Sequence, residues 1–321
     1  MNCRICMNSQ NNRALQVKEM MYGFRDEFTY IEWSACGCLQ IAGIPEDMPK
    51  YYPSDYRPWQ RTSLKLLVGE SPAIRRDRYA VFGPALLRKL VAMTYPNRFL
   101  QILGQAKPDR NAGVLDVGCG SGQFLYDLSV LGFRNLVGID PYVEASPNDR
   151  GIKILKKTIS DLADSERFDF VFFNHSLEHI WNQEDTLSKA GHLLAPTGVC
   201  VIRMPVKTET IWNLYGTEWM QIDAPRHFCI HTLASFRHLS QKVGFTITSV
   251  LFDSDERQFW GSEQYRNNIP LQAENSYLVN RKRSIFTEEQ MEGFRKKAKE
   301  LNRAQQGDQA AFFLASQTKS R

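Results

Sequence analysis

The chain has 321 residues, a formal net charge of +5, 43% hydrophobic residues and 23% charged residues. This length allows one full α/β domain plus a smaller module, and the composition excludes an intrinsically disordered chain. The mild positive charge permits a polyanionic partner without indicating one. The first residues lack the apolar core of a secretory signal, and no apolar run approaches the roughly 20 residues of a membrane helix. We therefore expect a cytoplasmic protein.

Residues 1–44 are predicted to form a small cysteine module. Two cysteine pairs, Cys3 with Cys6 and Cys36 with Cys38, flank a stretch of alternating apolar and polar residues that favours a short hairpin. A module of this size has too small a core to be stable without a staple. A disulfide framework is not expected, because the seven cysteines are odd in number and dispersed along the chain.

Residues 45–111 are predicted to form a connector and a helical lid. The connector is rich in proline and tyrosine, as in YYPSDY. Helical periodicity follows at Pro84–Met93 and again at Arg98–Gly104.

Residues 112–321 alternate between short apolar runs and helical stretches, which indicates a parallel sheet with crossover helices. The pattern predicts a doubly wound, Rossmann-like α/β fold with a seven-stranded sheet. The predicted strands are Val114–Val117, Asn135–Ile139, Ile152–Lys156, Phe168–Phe173, Gly198–Arg203, Phe245–Phe252 and Ala310–Ser316. The predicted helices are Phe124–Leu131, Thr186–Leu194, Leu233–Val243 and Glu288–Arg303. Because an unpaired AAFFLAS segment would be an aggregation hazard, the last strand is predicted to insert antiparallel into the sheet.

The sequence VLDVGCGSGQF runs from an apolar strand into a turn that contains Gly118, Gly120 and Gly122. Glycines there let the backbone pass close to a ligand, although the same turn fits a nicotinamide-nucleotide site or a plain tight connection. Asp140 ends the next strand, where a carboxylate can hold both hydroxyls of a ribose. Asp116 precedes the turn, where an acid would repel a pyrophosphate and attract an ammonium group.

This combination resembles class I S-adenosylmethionine-dependent methyltransferases, over about residues 112–255 and the last strand. In that family a D-x-G-x-G-x-G turn holds the amino acid part of the cofactor, and an acid after the second strand holds the ribose. The cofactor-binding residues that the resemblance implies are Asp116, Gly118, Gly120, Gly122, Asp140, Asp161 and Leu162. Asp161 and Leu162 would line the adenine edge, but ISDLAD fits a helix-capping or solvated acid equally well.

The segment FDFVFFNHSLEHI extends the resemblance, because in this superfamily an F-D-x-V strand ends in a polar loop that faces the transferred methyl. His175, Glu178 and His179 lie in that loop and are candidate catalytic residues. For Glu178 and His179, a structural hydrogen-bonded pair that closes the turn is an equal alternative. No sequence of the Asn-Pro-Pro-Tyr type is present, which disfavours transfer to a planar amide or an adenine amine.

A long segment, MPVKTETIWNLYGTEWMQIDAPRHFCIHT, follows the fifth predicted strand and is interpreted as a loop. It lies at the carboxyl ends of the strands, where doubly wound sheets bind ligands. Its candidate residues are Trp219, Asp223, Arg226, His227 and His231. His227 has the pKa range of a general base, and a histidine packed to close the loop is the alternative. Arg226 fits either a phosphate contact or an ion pair with Asp223.

The W-x-x-x-D-x-P-R-H pattern and the N-terminal cysteines are similar to methyltransferases of sugar and polysaccharide biosynthesis, including nucleotide-sugar C-methyltransferases with an N-terminal zinc module. The YYPSDY connector and the GDQAAFF ending fit the same group. The resemblance implies a small-molecule acceptor, namely a nucleotide-linked sugar or a glycan precursor. It also implies zinc on Cys3, Cys6, Cys36 and Cys38. Trp33 occupies the usual first position of the second cysteine pair, so a module held by packing, with free thiols, is the alternative.

Two further functions stay open on the sequence. One is an RNA base methyltransferase, because zinc-ribbon modules also precede such domains and arginines cluster at 75–78. The other is a non-catalytic protein that keeps the fold, against which the intact glycine turn and Asp140 argue. Cys119, Cys200 and Cys229 are expected to be plain core or loop thiols.

Overall fold

The computed structural model describes residues 1–53, 72–84, 98–143, 146–149 and 151–317. At the N-terminus, β1 (Arg13–Lys18), β2 (Glu27–Glu32) and β3 (Leu39–Ile41) form an antiparallel sheet in that order. This confirms the predicted N-terminal hairpin.

The large sheet contains the seven predicted strands and a short additional edge strand. Its members are β4 (Gly113–Val117), β5 (Asn135–Ile139), β6 (Ser146–Asp149), β7 (Ile152–Leu155), β8 (Phe168–Asn174), β9 (Leu194–Pro205), β11 (Phe245–Phe252) and β12 (Gln309–Ser316). A two-residue strand, β10 (Cys229–Ile230), pairs instead with β3 of the N-terminal sheet. The order in the large sheet is β11-β12-β9-β8-β4-β5-β7-β6, which confirms the doubly wound α/β fold.

The last strand is antiparallel to both of its neighbours, as predicted. β12 lies between β9 and β11 and pairs with each of them along most of its length. Residues 310–314 of this strand are 0–3% exposed, because the strand is covered on both faces. β12 is therefore part of the core.

Helices flank the large sheet. They are α1 (Pro72–Phe82), α2 (Arg98–Gln105), α3 (Gln123–Leu131), α4 (Gln183–Leu193), α5 (Glu209–Tyr215), α6 (Leu233–Lys242), α7 (Arg257–Arg266) and α8 (Glu288–Arg303). Short 3-10 turns lie at Met48–Tyr51, Ile159–Asp161, Leu177–His179, Gly216–Glu218, Met220–Ile222 and Arg281–Arg283. None of the helices in the described ranges combines the length and apolar character that a bilayer crossing demands.

Alternate residues of each strand point to two separate cores. Leu115 and Phe312 pack with residues of α4 and α6, whereas their neighbours Val114 and Phe313 pack with residues of α1, α2 and α3. This two-sided burial explains why the strands are continuous apolar runs in the sequence.

The predicted helices that lie in the described ranges agree with the structure within a few residues. One predicted helix and one predicted loop need separate comment. Of the predicted helix Pro84–Met93, all but Pro84 lies outside the described residues. The segment after β9 is not one long loop, because it contains α5, two 3-10 turns and β10. Its aromatic residues pack against the rest of the fold, and this packing stabilises helical turns that have little periodicity of their own.

Candidate functional site

The glycine turn between β4 and α3 has left-handed backbone at Gly118, Gly120 and Gly122, with φ of +74°, +51° and +82°. A Cβ on Gly118 would lie 2.5 Å from the Cβ of Ser176, which follows β8. The Ser176 hydroxyl also donates a hydrogen bond of 2.5 Å to the carbonyl of Val117. The turn is therefore held tightly against the carboxyl end of β8, and glycine is required there for both conformation and space.

Asp140 faces the glycine turn. One of its carboxylate oxygens accepts a hydrogen bond from the Gly120 amide at 3.1 Å, and the other accepts one from the Tyr142 amide at 2.9 Å. Burial raises the pKa of Asp140 although these amides favour its charged form. The acid that the sequence assigns to a ribose thus lies at the turn.

Asp116 is 2% exposed, and its Oδ1 has no hydrogen-bond partner among the described residues. Burial and the nearby charge of Asp140 raise the pKa of Asp116 to about 8. An unpaired buried carboxylate is costly unless a cation neutralises it. The position therefore fits the ammonium group of a bound amino acid.

Asp161 caps its own 3-10 turn. Its Oδ2 accepts hydrogen bonds from the amide and the hydroxyl of Thr158, at 2.7 and 2.8 Å. These contacts match the capping alternative, and they lower the pKa of Asp161. The Leu162 side chain is buried, at 3% exposure, and its carbonyl accepts a hydrogen bond from Lys189. A role of either residue at an adenine stays a prediction.

A cavity of about 200 Å³ lies beside β8 and the segment after β9. The four candidate catalytic side chains line it together: His175, Glu178, His179 and His227. Its remaining wall is formed by Met21, Met220, Gln221, Asp223, Tyr265 and Leu271. His175 and Glu178 lie one and two residues from Ser176 in the sequence, and Ser176 contacts the glycine turn at Gly118.

Glu178 is surrounded by imidazoles. It is 1% exposed, and neither of its carboxylate oxygens has a hydrogen-bond partner among the described residues. Oε1 lies 3.6 Å from Nδ1 of His175, so that contact is electrostatic and not a hydrogen bond. Burial opposes ionisation, but His175, His227 and His179 outweigh it and lower the pKa of Glu178 to about 2.

His179 and His227 are each held by a backbone carbonyl. Nδ1 of His179 is 2.9 Å from the carbonyl of Arg226, and Nδ1 of His227 is 2.8 Å from that of Gln221. A carbonyl can only accept, so Nδ1 carries the proton in both rings and Nε2 is the basic nitrogen of the neutral form. Burial lowers the pKa of His179 to about 4.

Arg226 is a structural residue and not a ligand for phosphate. It is 0% exposed, and its guanidinium donates to both carboxylate oxygens of Asp223, to Glu19 and to the Tyr51 carbonyl. The ion-pair alternative therefore describes its contacts. Burial raises the pKa of Asp223, but the adjacent Arg226 guanidinium outweighs this effect and lowers the pKa below its ordinary value.

Two other candidates of this segment are also structural. The Trp219 indole donates to Asp308 at 3.1 Å, which ties the segment to the residue before β12. His231 is 0% exposed and contacts the Ser235 hydroxyl at 2.9 Å and Gln183 at 2.8 Å. One hydrogen bond thus joins Trp219, from the aromatic segment after β9, to Asp308 of the GDQ sequence.

Sequence reasoning missed residues that reach the cavity from distant parts of the chain. Met21 comes from the N-terminal module, and Tyr265 and Leu271 come from α7 and the residues after it. The Tyr52 hydroxyl lies 3.3 Å from Nδ1 of His179. Isolated methionine, leucine and tyrosine residues carry no sequence pattern that marks them as part of a site.

The buried Glu19–Arg226 pair generates a prediction. Both side chains are 0% exposed, and Glu19 also accepts hydrogen bonds from the amides of Tyr22, Gly23 and Phe24. Glu19→Ala leaves a buried guanidinium partly unpaired, so we expect the free energy of unfolding to fall by about 3–5 kcal/mol in urea denaturation.

Glu27→Ala is the control, since Glu27 and its partner Lys18 are more than half exposed. Its cost should stay below about 1 kcal/mol. Equal effects of the two substitutions would contradict the assignment of Glu19 as a buried anchor of this segment.

Comparison with known proteins identifies the family of this chain. Residues 88–250, just over half of the chain, match a family model described as a methyltransferase domain. A ubiquinone biosynthesis O-methyltransferase of Azorhizobium caulinodans is 29% identical over 131 residues, covering 37% of this chain and 51% of that protein. A tRNA U34 carboxymethyltransferase of Shewanella pealeana is 30% identical over 155 residues, covering 43% of this chain and 46% of that protein.

The chain thus spans about half the length of the curated relatives it matches. Among solved structures, a cyclopropane synthase of Mycobacterium tuberculosis aligns with a TM-score of 0.40 at 19% identity, covering 64% of this chain and 78% of that one. The family match, with which the strand order and the glycine turn agree, leads to one conclusion: the chain belongs to the methyltransferase-domain family.

Proposed function

We propose that the chain transfers a methyl group to a small polyhydroxylated acceptor, a nucleotide-linked sugar or a glycan precursor. The observation that carries the proposal is the cavity of about 200 Å³, which has histidines and a carboxylate on its floor and Met21, Met220 and Leu271 on its wall. A lining that combines polar and apolar groups suits a sugar ring, which offers hydroxyls at its edge and C–H groups on its faces.

On the cofactor side, the unpaired Oδ1 of Asp116 would receive the ammonium group, and Asp140 the ribose hydroxyls. The glycine turn would give its backbone to the carboxylate end, and Asp161 with Leu162 the adenine edge. S-adenosylmethionine, when bound, supplies an electrophilic methyl that needs no further activation. The protein must therefore align the acceptor with that methyl and take up the acceptor's proton.

On the acceptor side, the imidazoles of the cavity floor are the groups that can take this proton. His227 and His175 both line the cavity, and an imidazole nitrogen can accept a proton from a hydroxyl group. The buried negative charge of Glu178 would stabilise the imidazolium that forms, because it lies 3.6 Å from His175 and within 4.8 Å of a nitrogen of His227.

The glycine turn provides a test of cofactor binding. A methyl on Gly118 would collide with Ser176 at 2.5 Å, so Gly118→Ala should displace the turn and weaken S-adenosylmethionine binding at least tenfold in calorimetry. Gly244→Ala is the matched control, because Gly244 has nearly the same φ of +77° with nothing within 4 Å of its added Cβ. Equal affinity of the two variants for S-adenosylmethionine would contradict the assignment of this turn to the cofactor site.

The acceptor is tested with methyl-labelled S-adenosylmethionine, a panel of nucleotide sugars and bulk tRNA. We expect label in a nucleotide sugar, and about a hundredfold loss of rate or more in His227→Asn. Asparagine can still donate to the Gln221 carbonyl, so the segment stays anchored. His238→Ala, an exposed histidine on α6, should keep the wild-type rate. Label in tRNA with none in sugars would favour an RNA methyltransferase, and no label with intact cofactor binding would favour a non-catalytic protein.

We further propose that residues 1–44 form a zinc module, residues 45–111 a connector and lid, and residues 112–321 the methyltransferase domain. For the metal, the Sγ atom of Cys3 lies 3.8 Å from those of Cys36 and Cys38. These separations equal the edge of about 3.8 Å that a tetrahedron of thiolates has at a Zn–S distance of about 2.3 Å.

The surroundings of the sulfurs support the same proposal. Cys6 completes a group with Cys3 and Cys36 whose sulfurs all lie within 4.8 Å of one another, and Cys38 is 3.3 Å from Cys36. The Gln40 amide donates to Cys3 and Cys38, both at 3.4 Å. Amide donors of this kind stabilise negatively charged thiolates around a metal.

Zinc content provides the test of this module. Cys3→Ala should reduce bound zinc, measured by mass spectrometry of the purified protein, from about one equivalent to a small residue, and should lower the melting temperature. Cys200→Ala is the control, because Cys200 is also fully buried but lies on β9 in the core of the large sheet. Zinc-free wild-type protein would favour a module held by packing alone.

A further inference from the structure

We propose that Glu178, His179 and His227 form a binding site for one divalent transition-metal cation at the floor of the acceptor cavity. Each residue places one possible ligand atom within 4.8 Å of the others. That the cation also holds an oxygen of the acceptor rests on the function proposed above, whereas the cation site itself does not.

The two imidazoles are oriented as metal ligands. The carbonyls of Arg226 and Gln221 hold Nδ1 of His179 and His227, as described above, and so fix which nitrogen carries the proton. A carbonyl on one nitrogen of a histidine is the usual outer support of a ring whose other nitrogen binds a metal. The rings lie edge to face, with centroids 4.7 Å apart, and one nitrogen of each lies within 4.8 Å of the other and of a Glu178 oxygen.

Glu178 supplies the charge. Its carboxylate lines the cavity and is 1% exposed, yet both of its oxygens lack a hydrogen bond to any described residue. A buried carboxylate with neither a hydrogen bond nor a tight ion pair is uncommon, because removal from water costs several kcal/mol. A cation between Glu178 and the two imidazoles would satisfy both oxygens.

The neighbouring acid does not compete for the cation. Asp223 lies 3.7 Å from Nε2 of His227, but both of its oxygens accept hydrogen bonds from Arg226. Arg226 therefore occupies both oxygens of Asp223 and leaves Glu178 as the carboxylate ligand. His175 lies at the edge of the site, 35% exposed. With a cation on His227, His175 would be the imidazole that takes the acceptor's proton.

The donor set selects the kind of cation. Two imidazole nitrogens and one carboxylate oxygen suit Zn²⁺, Fe²⁺, Co²⁺ or Mn²⁺, whereas Mg²⁺ and Ca²⁺ prefer oxygen ligands throughout. Three protein ligands leave coordination positions open toward the cavity. A cation there would bind an acceptor hydroxyl and lower its pKa, which assists the loss of its proton.

Cobalt provides the test, because its spectrum distinguishes the two metal sites of one protein. Thiolate ligands of the cysteine module give intense charge-transfer bands, whereas nitrogen and oxygen ligands give weak visible bands alone. Metal-free full-length protein is titrated with Co²⁺ and followed by absorption and by thermal unfolding. We expect a second equivalent with nitrogen and oxygen bands, which stays in Cys3→Ala.

Two conservative variants should lose this second equivalent. Glu178→Gln keeps the shape of the side chain, and His227→Asn keeps a donor for the Gln221 carbonyl. We expect at least a tenfold weaker Co²⁺ affinity in each, and loss of the cation-induced rise in melting temperature. His238→Ala should bind as the wild type does, and S-adenosylmethionine affinity serves as the check that each variant is folded.

The outcomes separate this site from the proposed acceptor. An unchanged second equivalent in Glu178→Gln and His227→Asn, or its absence from the wild type, overturns the cation site whatever the acceptor is. A cobalt site that disappears in these variants supports it even if no nucleotide sugar is methylated. In that last case the proposed acceptor is contradicted and the cation site is not.

Discussion

The contact between Gly118 and Ser176 joins the glycine turn to the carboxyl end of β8. On one side, the turn after β4 curves through left-handed backbone, and its Gly120 amide donates to Asp140. On the other, Ser176 directly follows His175, which lines the cavity together with Glu178. A side chain at Gly118 would push the two apart. In the function proposed above, the methyl donor and the acceptor would meet across this contact, which has no room for a Cβ.

The second constraint is the buried guanidinium of Arg226. It binds Asp223 within its own segment, Glu19 of the N-terminal module and the carbonyl of Tyr51 in the connector. The next residue is His227, and the carbonyl of Arg226 holds His179. One charged side chain thus fixes the relative positions of three parts of the chain and of two cavity histidines. The N-terminal module also forms part of the cavity wall, since it contributes Met21.

Most of the fold could be predicted because strands buried on both faces are continuous apolar runs. The antiparallel insertion of β12 into the sheet also followed from the cost of leaving AAFFLAS unpaired. The glycine turn could be predicted because its glycines and acids lie close together in the sequence. In contrast, α5 and α7 have weak periodicity and depend on packing. Leu271 lines the cavity, and Glu19 accepts a hydrogen bond from Arg226, which is 207 residues away in the sequence. Sequence patterns do not reveal contacts of this range. The sequence left Asp161 open between two roles, and its capping contacts are visible in three dimensions alone.

The account rests on a buried carboxylate at the root of the glycine turn that awaits a positive charge. Because the pKa of Asp116 is raised to about 8 in the free protein, its carboxyl is mostly protonated at pH 6.5. Binding of the ammonium group of S-adenosylmethionine should favour the ionised form and release a proton.

Calorimetric titration with S-adenosylmethionine at pH 6.5, in two buffers of different ionisation enthalpy, measures this release directly. The account predicts that nearly one proton leaves per cofactor bound, and that the release is lost in Asp116→Asn. Binding without proton release, or no binding at all, would contradict it.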